Sequence, residues 1–300
     1  MSSILDLDIF VRTADSGSFS AAARALDMSP AAASIAIKRL ETRLGVRLMV
    51  RSTRSLRLTD EGRRYLDSVR LALGALAEGE QALQSHTLGL SGSLQLAAPS
   101  DFGRNVLLSW LDEFKQQHPH IQLRLLLNDR NADLFREPVD IALRYGVPQD
   151  SSLVALPIAP QHRRLACASP AYLARCGTPH TPSELAKHAA VLYLRNERAH
   201  DLWRFSRVSE VQEVRVSGDY LCDDGEVARL WALAGHGIVY KAQLDVQADL
   251  TAGRLVQVLG DWQGESAPFN LLCPHRAQVS ERVKALQSFL QQHCASLLLE

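Results

Sequence analysis

Three hundred residues suggest roughly two domains, and 46% hydrophobic with 22% charged residues is the balance of an ordinary folded protein, which excludes collagen-like and disordered classes. No run approaches the ~18 uninterrupted apolar residues of a membrane span, no basic segment precedes an apolar run as in a secretory signal, and five scattered cysteines without a C-x-x-C pair exclude a disulfide scaffold, so reduced thiols and a cytoplasmic chain are expected. The formal net charge is zero, yet residues 38–64 hold nine basic and three acidic residues, and local charge is what binds phosphate.

Taken in chain order, Leu5, Leu7, Ile9, Phe10 and Val11 predict an apolar first helix closed by Gly17. Ser18 or Ser20 can cap a second helix, in which Ala22, Ala23 and Leu26 are small or apolar where two helices cross. Ser29-Pro30 is a strong start signal for a third: a hydroxyl N-cap followed by proline at the first helical position. Ala33, Ile37, Leu40 and Leu44 recur at spacings of 4, 3 and 4 as one buried stripe, and the opposite face carries Ala31, Ser34, Ile35, Lys38 and Thr42. Gly45 ends the helix. Residues 47–51 and 55–58 alternate polar and apolar like two short strands around Ser52-Thr53-Arg54. They form a wing from which Arg51, Arg54 and Arg57 can reach phosphates or the minor groove. Two small-residue helices at a tight turn, with arginines after them, present one helix to a DNA major groove; a three-helix bundle with a solvated basic face is the bland alternative.

Thr59-Asp60-Glu61 reads as the start of a long helix running to about Ser85. Leu66, Val69, Leu73 and Leu76 make a seam suited to a partner helix, the alternative being packing on its own domain. Gly74 and Gly79 weaken an isolated helix by about 1 kcal/mol each, so a partner is expected. Residues 89–92 read as a hinge. Beyond them strands and helices alternate: strands at 93–98, 121–127, 139–144, 165–168, 190–194, 211–217 and 237–240, and helices at 106–117, 226–234 and 279–298. The alternation predicts an α/β fold with mainly parallel sheets, and about 210 residues are better divided between two lobes than gathered on one sheet.

In parallel α/β lobes ligands sit beyond the C-terminal strand ends, near helix N-termini. That rule selects Ser100 and Asp101, Arg144, Leu194 and Arg195, and Asp223 and Asp224. A hydroxyl, backbone amides and an arginine suit a small carboxylate. Asp223 and Asp224 either cap the next helix or accept a hydroxyl or amine of the ligand. Lys241 is read as a surface lysine in preference to a further anion contact. No G-x-S-x-G elbow or Gly-rich phosphate loop is present. His118-Pro119-His120 lacks a ligand set for zinc and reads as a loop. The expectation is no enzyme, no cofactor and no metal.

The stretches Phe10-Val11, Gly17-Ser18-Phe19-Ser20-x-Ala22-Ala23-x-x-Leu26, Ser34, Ile37-Lys38-Arg39-Leu40-Glu41, Leu44-Gly45-Val46-x-Leu48, Arg51, Leu58-Thr59 and Gly62 resemble the winged helix-turn-helix of LysR-type transcriptional regulators. The resemblance extends weakly over the rest of the chain. It implies a DNA-binding domain at 1–59, a linker and dimerisation helix with hinge at 60–91, and an effector domain at 92–300. That domain would have two lobes of the periplasmic-binding-protein type (about 92–162 with 267–300, and about 163–266) joined by two crossovers. Ser100 aligns with a Ser/Thr that often touches effector. The segment from Val139 to Gly146, with Arg144, and the segments 223–226 and 252–256 are similar to family ones. One departure is informative: the family usually reads Gln-Pro-Ala where this chain has Pro30-Ala31-Ala32, and often a long polar pair where it has Ile35-Ala36. Base readout here would then rest on apolar contact of Ala31 and Ile35 with thymine methyls, on Ser34 and Lys38, and on DNA shape and the wing; the alternative for Ile35 is packing against the wing. A peroxide sensor of this family would need a paired cysteine between about residues 190 and 220, and there is none, although Cys222 lies beside the expected ligand site.

The expected function is a DNA-binding transcriptional regulator that senses a small, anionic metabolite. Its partners would be an inverted-repeat operator in double-stranded DNA, an effector, a second copy in a homodimer or homotetramer, and RNA polymerase, with no membrane. A ligand-independent regulator, and a solute-binding protein or enzyme with an accessory domain, are the alternatives; the basic helix argues against the last.

Overall fold

The computed structural model describes residues 3–51, 56–129, 139–148, 153–195 and 198–299. The chain divides into two compact units, Met1–Leu88 and Gly89–Glu300. The first opens with α1 (Ile4–Ser16), α2 (Phe19–Ala25) and α3 (Pro30–Leu44). The antiparallel ribbon β1 (Met49–Arg51) and β2 (Leu56–Leu58) follows, then α4 (Asp60–Leu88). The residues between the two strands, with Arg54, lie outside the described ones. Gly17 and Gly45 end α1 and α3 at φ 60° and 71°, a left-handed backbone that suits glycine. Ile9, Phe10, Ala23, Ala33, Ile37, Leu40 and Leu48 form the core, and the alanines let the helices approach closely.

The α4 seam divides. Leu66 and Val69 are buried in this unit's own core and Leu73 packs at its edge, whereas Leu76 is exposed. The first half of the seam therefore serves its own domain, a correction to the single partner-facing stripe expected from spacing.

The second unit begins with β3 (Ser91–Ala98), α5 (Ser100–Phe102), a π-helical turn (Gly103–Leu107) and α6 (Leu108–Gln117). Helix thus starts at Ser100, six residues before the periodicity signals it. β4 (His120–Leu127), β5 (Ile141–Tyr145) and β6 (Val154–Ala159) complete the first passage through one lobe. The other lobe holds β7 (Arg164–Ala168), α7 (Pro170–Cys176), β8 (Ala189–Arg195), β9 (Arg198–Ala199), β10 (Leu202–Arg207), β11 (Glu210–Arg215) and β12 (Ser217–Cys222). It continues through α8 (Gly225–Leu233), β13 (Ile238–Ala242), α9 (Gln243–Thr251), β14 (Val256–Val258) and β15 (Gln263–Gly264). The chain then returns through β16 (Phe269–Cys273) and α10 (Glu281–Leu299).

The two main sheets run β4-β3-β5-β16-β6 and β12-β8-β13-β7-β14. Within each, two pairings are parallel and two antiparallel, so the mainly parallel sheets expected are mixed ones. The reason is the double crossover. β6 leaves one lobe and β16 re-enters it beside β6, and a chain that exits and returns through adjacent strands pairs them antiparallel. At the crossovers His162 and Ala267 exchange backbone contact (Ala267 N–H to His162 O, 2.9 Å). The buried His162 ring Nδ1 lies 2.7 Å from Ala267 O, and Nε2 accepts the Leu244 N–H at 3.2 Å. Nδ1 therefore carries the proton. Burial keeps this histidine's pKa below its ordinary value, against the pull of Ala267 O and Asp245.

Candidate functional site

At the N-terminal unit, the Ser29 hydroxyl accepts the Ala32 N–H at 3.2 Å, and Pro30 opens α3, so its first turn is fixed by its own sequence. Ala33, Ala36, Ile37 and Leu40 face inward. Ala31 and Lys38 are exposed, Ser34 is half-buried, and Ile35 is 61% exposed. Ile35 thus leaves most of its side chain open on the outer face of α3. Ala36, paired with Ile35 in the sequence reading, is instead in the core.

Glu41 pins the wing to this helix: one carboxylate oxygen accepts the Leu48 and Met49 N–H groups at 2.8 and 3.0 Å. Thr59 closes the other side, donating to Arg47 O at 2.7 Å and accepting the Gly62 N–H at 2.8 Å. Gly62 has no room for a side chain, because a Cβ there would stand 2.0 Å from Leu48 O. Arg57 projects from β2 into solvent; the side chain of Arg51 and all of Arg54 lie outside the described residues. Arg39 makes two bonds to the buried Asp6, one of them Nε to Oδ2 at 3.0 Å, which ties α3 to α1.

In the second unit, charged side chains from the two lobes meet. Ser100, at the start of α5, is buried. Its N–H donates to Asp129 Oδ1 at 2.7 Å and its hydroxyl to Asp129 Oδ2, with Asp224 Oδ1 3.1 Å away. Asp224 caps α8 from the other lobe, accepting the Glu226 and Val227 N–H groups at 2.8 and 3.2 Å. Partial burial opposes its charge, but Arg104 at 3.1 Å and these amides hold its carboxyl below the usual range. Of the two roles open to Asp224, capping is therefore realised, together with contact across the seam. Asp223 is exposed.

Behind this lies a buried ion cluster. Asp101 is 1% exposed and meets Arg229 Nε at 2.9 Å and Lys241 Nζ at 2.7 Å, both from the opposite lobe. Lys241 also reaches Asp245 at 2.9 Å and the Gly225 carbonyl at 3.0 Å. Arg229 continues to Asp249 at 2.7 Å, where Arg254 joins at 2.6 Å, and Tyr145 donates to Asp245 at 2.7 Å. Lys241 is thus a buried tie between lobes, which overturns its reading as a surface lysine: the β13 strand that carries it is buried along its whole length. Burial would lower its pKa, but Asp101 and Asp245 hold it above the ordinary value.

Arg144 is half-buried and donates to Asn128 Oδ1 and to Leu143 O, each at 2.8 Å, which places it beside the residue preceding Asp129. Leu194 stays at the end of β8, in register with Ala199; the Arg195 side chain lies outside the described residues. Burial pushes the Cys222 thiol up, against the pull of the Asp224 backbone and Lys241. Sequence reasoning missed Asp129, although it follows β4 and the strand-end rule that selected Ser100 applies equally to it. Among the described residues no group of His, Cys, Asp and Glu is placed to hold a metal, and no helix is long and apolar enough to cross a membrane.

Comparison with known proteins gives concordant matches. The profile "Bacterial regulatory helix-turn-helix protein, lysR family" matches residues 4–63, and "LysR substrate binding domain" matches residues 88–295. The uncharacterized HTH-type transcriptional regulator YhjC of Escherichia coli is 32% identical over 97% of each chain. The HTH-type transcriptional activator TtdR of the same species is 30% identical over 98% of this chain and 94% of its own. Among solved structures, CrgA, a LysR-type transcriptional regulator from Neisseria meningitidis, aligns over 99% of each chain with 30% identity and a TM-score of 0.58.

Proposed function

This chain belongs to the LysR family of DNA-binding transcriptional regulators, and we propose that it is a cytoplasmic, effector-responsive member reading an inverted-repeat operator. The observation that carries the DNA-reading part is the exposed face of α3, with Ala31, Ile35 and Lys38 turned outward beside a wing that Glu41 fixes in place. Two copies joined through α4, with the exposed Leu76 in the contact, would set two such helices on successive half-sites. Ser29 and Pro30 fix the helix start. Ser34 and Lys38 would supply polar contacts and Ala31 and Ile35 the thymine contacts, with Arg51, Arg54 and Arg57 on the phosphates.

The effector would lie at the seam between lobes, where Ser100 meets Asp224 and Arg144 is bonded to Asn128, with Leu194, Arg195 and Asp223 at its margin. Asp101 holds the lobes together beneath it. A small anionic metabolite is the class this set suits best, through the Ser100 and Arg144 donors. By binding one arrangement of the lobes better than the others, it would shift the population of dimers or tetramers, and with it DNA bending and access of RNA polymerase.

Footprinting the full chain on DNA flanking its own gene tests the first part: a protected, two-fold symmetric site is expected, and no protection at low salt would refute it. A thermal-shift screen against carboxylates, phenolics and amino acids, with Arg144→Ala alongside, tests the second. A stabilising anion whose effect the variant loses is expected; a hit kept in the variant moves the site away from Arg144.

A further inference from the structure

A carboxylate already sits where the lobes meet, and it belongs to the chain. Asp129, just past β4, accepts three hydrogen bonds: the N–H and hydroxyl of Ser100 in one lobe and the Gly225 N–H in the other. The two N–H groups open helices that start from opposite lobes, and a carboxylate is the group such donors hold best. Gly225 is shaped for the contact. A Cβ there would stand 2.9 Å from Lys241 Nζ and 3.3 Å from Asp129 Oδ2, so the absence of a side chain lets the carboxylate reach the backbone.

The same geometry sets a limit on how firmly it is held. The Ser100 hydroxyl has one proton and two carboxylates beside it, Asp129 and Asp224 at 3.1 Å. Donating to one leaves the other facing an oxygen lone pair, and the two negative charges repel.

We propose that Asp129 is an autoinhibitory latch: a built-in carboxylate that fills the anion slot spanned by Ser100 and Gly225, so that an anionic effector enters by displacing it. The inference rests on the effector-site reading above and deepens it. It explains how a slot lined by anion donors can stand beside Asp223, Asp224 and Glu226 without collecting any small anion available. An effector must bring enough contacts elsewhere on the seam to outcompete a tethered rival, whose local concentration is high.

Chemical rescue on the full chain tests this, with formate and acetate as probes. Asp129→Ala should unfold several degrees below the parent, and formate at tens of millimolar should restore much of the loss, saturably, while leaving the parent's midpoint almost unchanged. Adding Ser100→Ala to that variant should abolish the rescue. Equal response of parent and variant to formate, or no response of the variant, overturns the latch. If Asp129→Ala does not accumulate folded, Asp129→Asn carries the same comparison: its amide suits two N–H donors poorly, so formate must still stabilise it more than the parent. DNA retardation by the same proteins reports separately on the regulatory reading. A parent that binds no DNA would sink that reading and leave the formate comparison to decide the latch.

Discussion

Lys241 Nζ and Asp101 Oδ2 lie 2.7 Å apart across the two lobes, with both side chains almost fully removed from water. Neither group tolerates burial alone. Each is kept ionised by partners that come from more than one element: Arg229 for the acid, Asp245 and the Gly225 carbonyl for the ammonium. Lys241→Met removes the cation that two buried carboxylates share, and should destabilise the protein by about 3–5 kcal/mol. Urea unfolding of the second unit's transition checks it. A loss within about 0.5 kcal/mol would be that of a surface lysine and would refute the buried tie.

The cluster also sets a pH dependence. Burial raises the Asp101 carboxyl from 3.8 to about 6, with Lys241 pulling it down and Asp245 pushing it up. An acid with a raised folded pKa contributes stability that is fully present below its unfolded value and lost as pH rises through the folded one. The unfolding free energy of the parent relative to Asp101→Asn should therefore fall between about pH 4 and pH 7, by at most about 3 kcal/mol. His162 works with the opposite sign. Its folded pKa lies below the ordinary 6.5, so its contribution is present above 6.5 and fades as acid protonates Nε2 and displaces the Leu244 N–H. Replacing His162 by Gln should flatten the acid side of the profile. A relative stability of Asp101→Asn that does not move with pH would refute the first assignment.

Much of this was legible in the sequence, and the reasons differ by region. The N-terminal unit could be read because its signals are local: Ser18 and Ser29 cap, Gly17 and Gly45 stop, and Ala33, Ile37 and Leu40 keep helical period. The mixed sheets were not, because strand direction in the second unit depends on where the chain crosses between lobes. A fully buried strand such as β16 has the same apolar pattern whichever way its neighbours run. Lys241 misled for a related reason. A lysine inside an apolar strand is ambiguous until its partners are known, and Asp101, 140 positions away, is brought to it only by the fold. Ser100 and Asp224 follow from the strand-end rule, and Asp129, just past β4, satisfies the same rule.

Glu41 gives a prediction about the wing. Its one oxygen satisfies two adjacent backbone donors, and Glu41→Ala leaves them to water or to nothing. The cost to the N-terminal unit should be about 1–3 kcal/mol. Operator affinity should fall further than stability does, since Arg57 and its neighbours would no longer be held beside α3. Retardation assays on a protein whose circular dichroism matches the parent's separate the two effects. Unchanged affinity would mean that the wing contributes no positioned contact.

The outward face of α3 makes the last prediction, and it divides by chemistry. Lys38 is a charge on a flexible stem, exposed, with no base-shaped geometry of its own. If it meets phosphate, Lys38→Ala should weaken binding to all sequences alike and lower the salt dependence of the affinity by about one counterion. Ile35 offers only apolar surface at 61% exposure. If it meets a thymine methyl, Ile35→Ala should cost about tenfold on sites with that thymine and little on sites without it. Selection of bound sequences from a random pool by the parent and both variants measures the two effects side by side. An Ile35→Ala preference identical to the parent's would move base readout away from this residue and onto DNA shape and the wing.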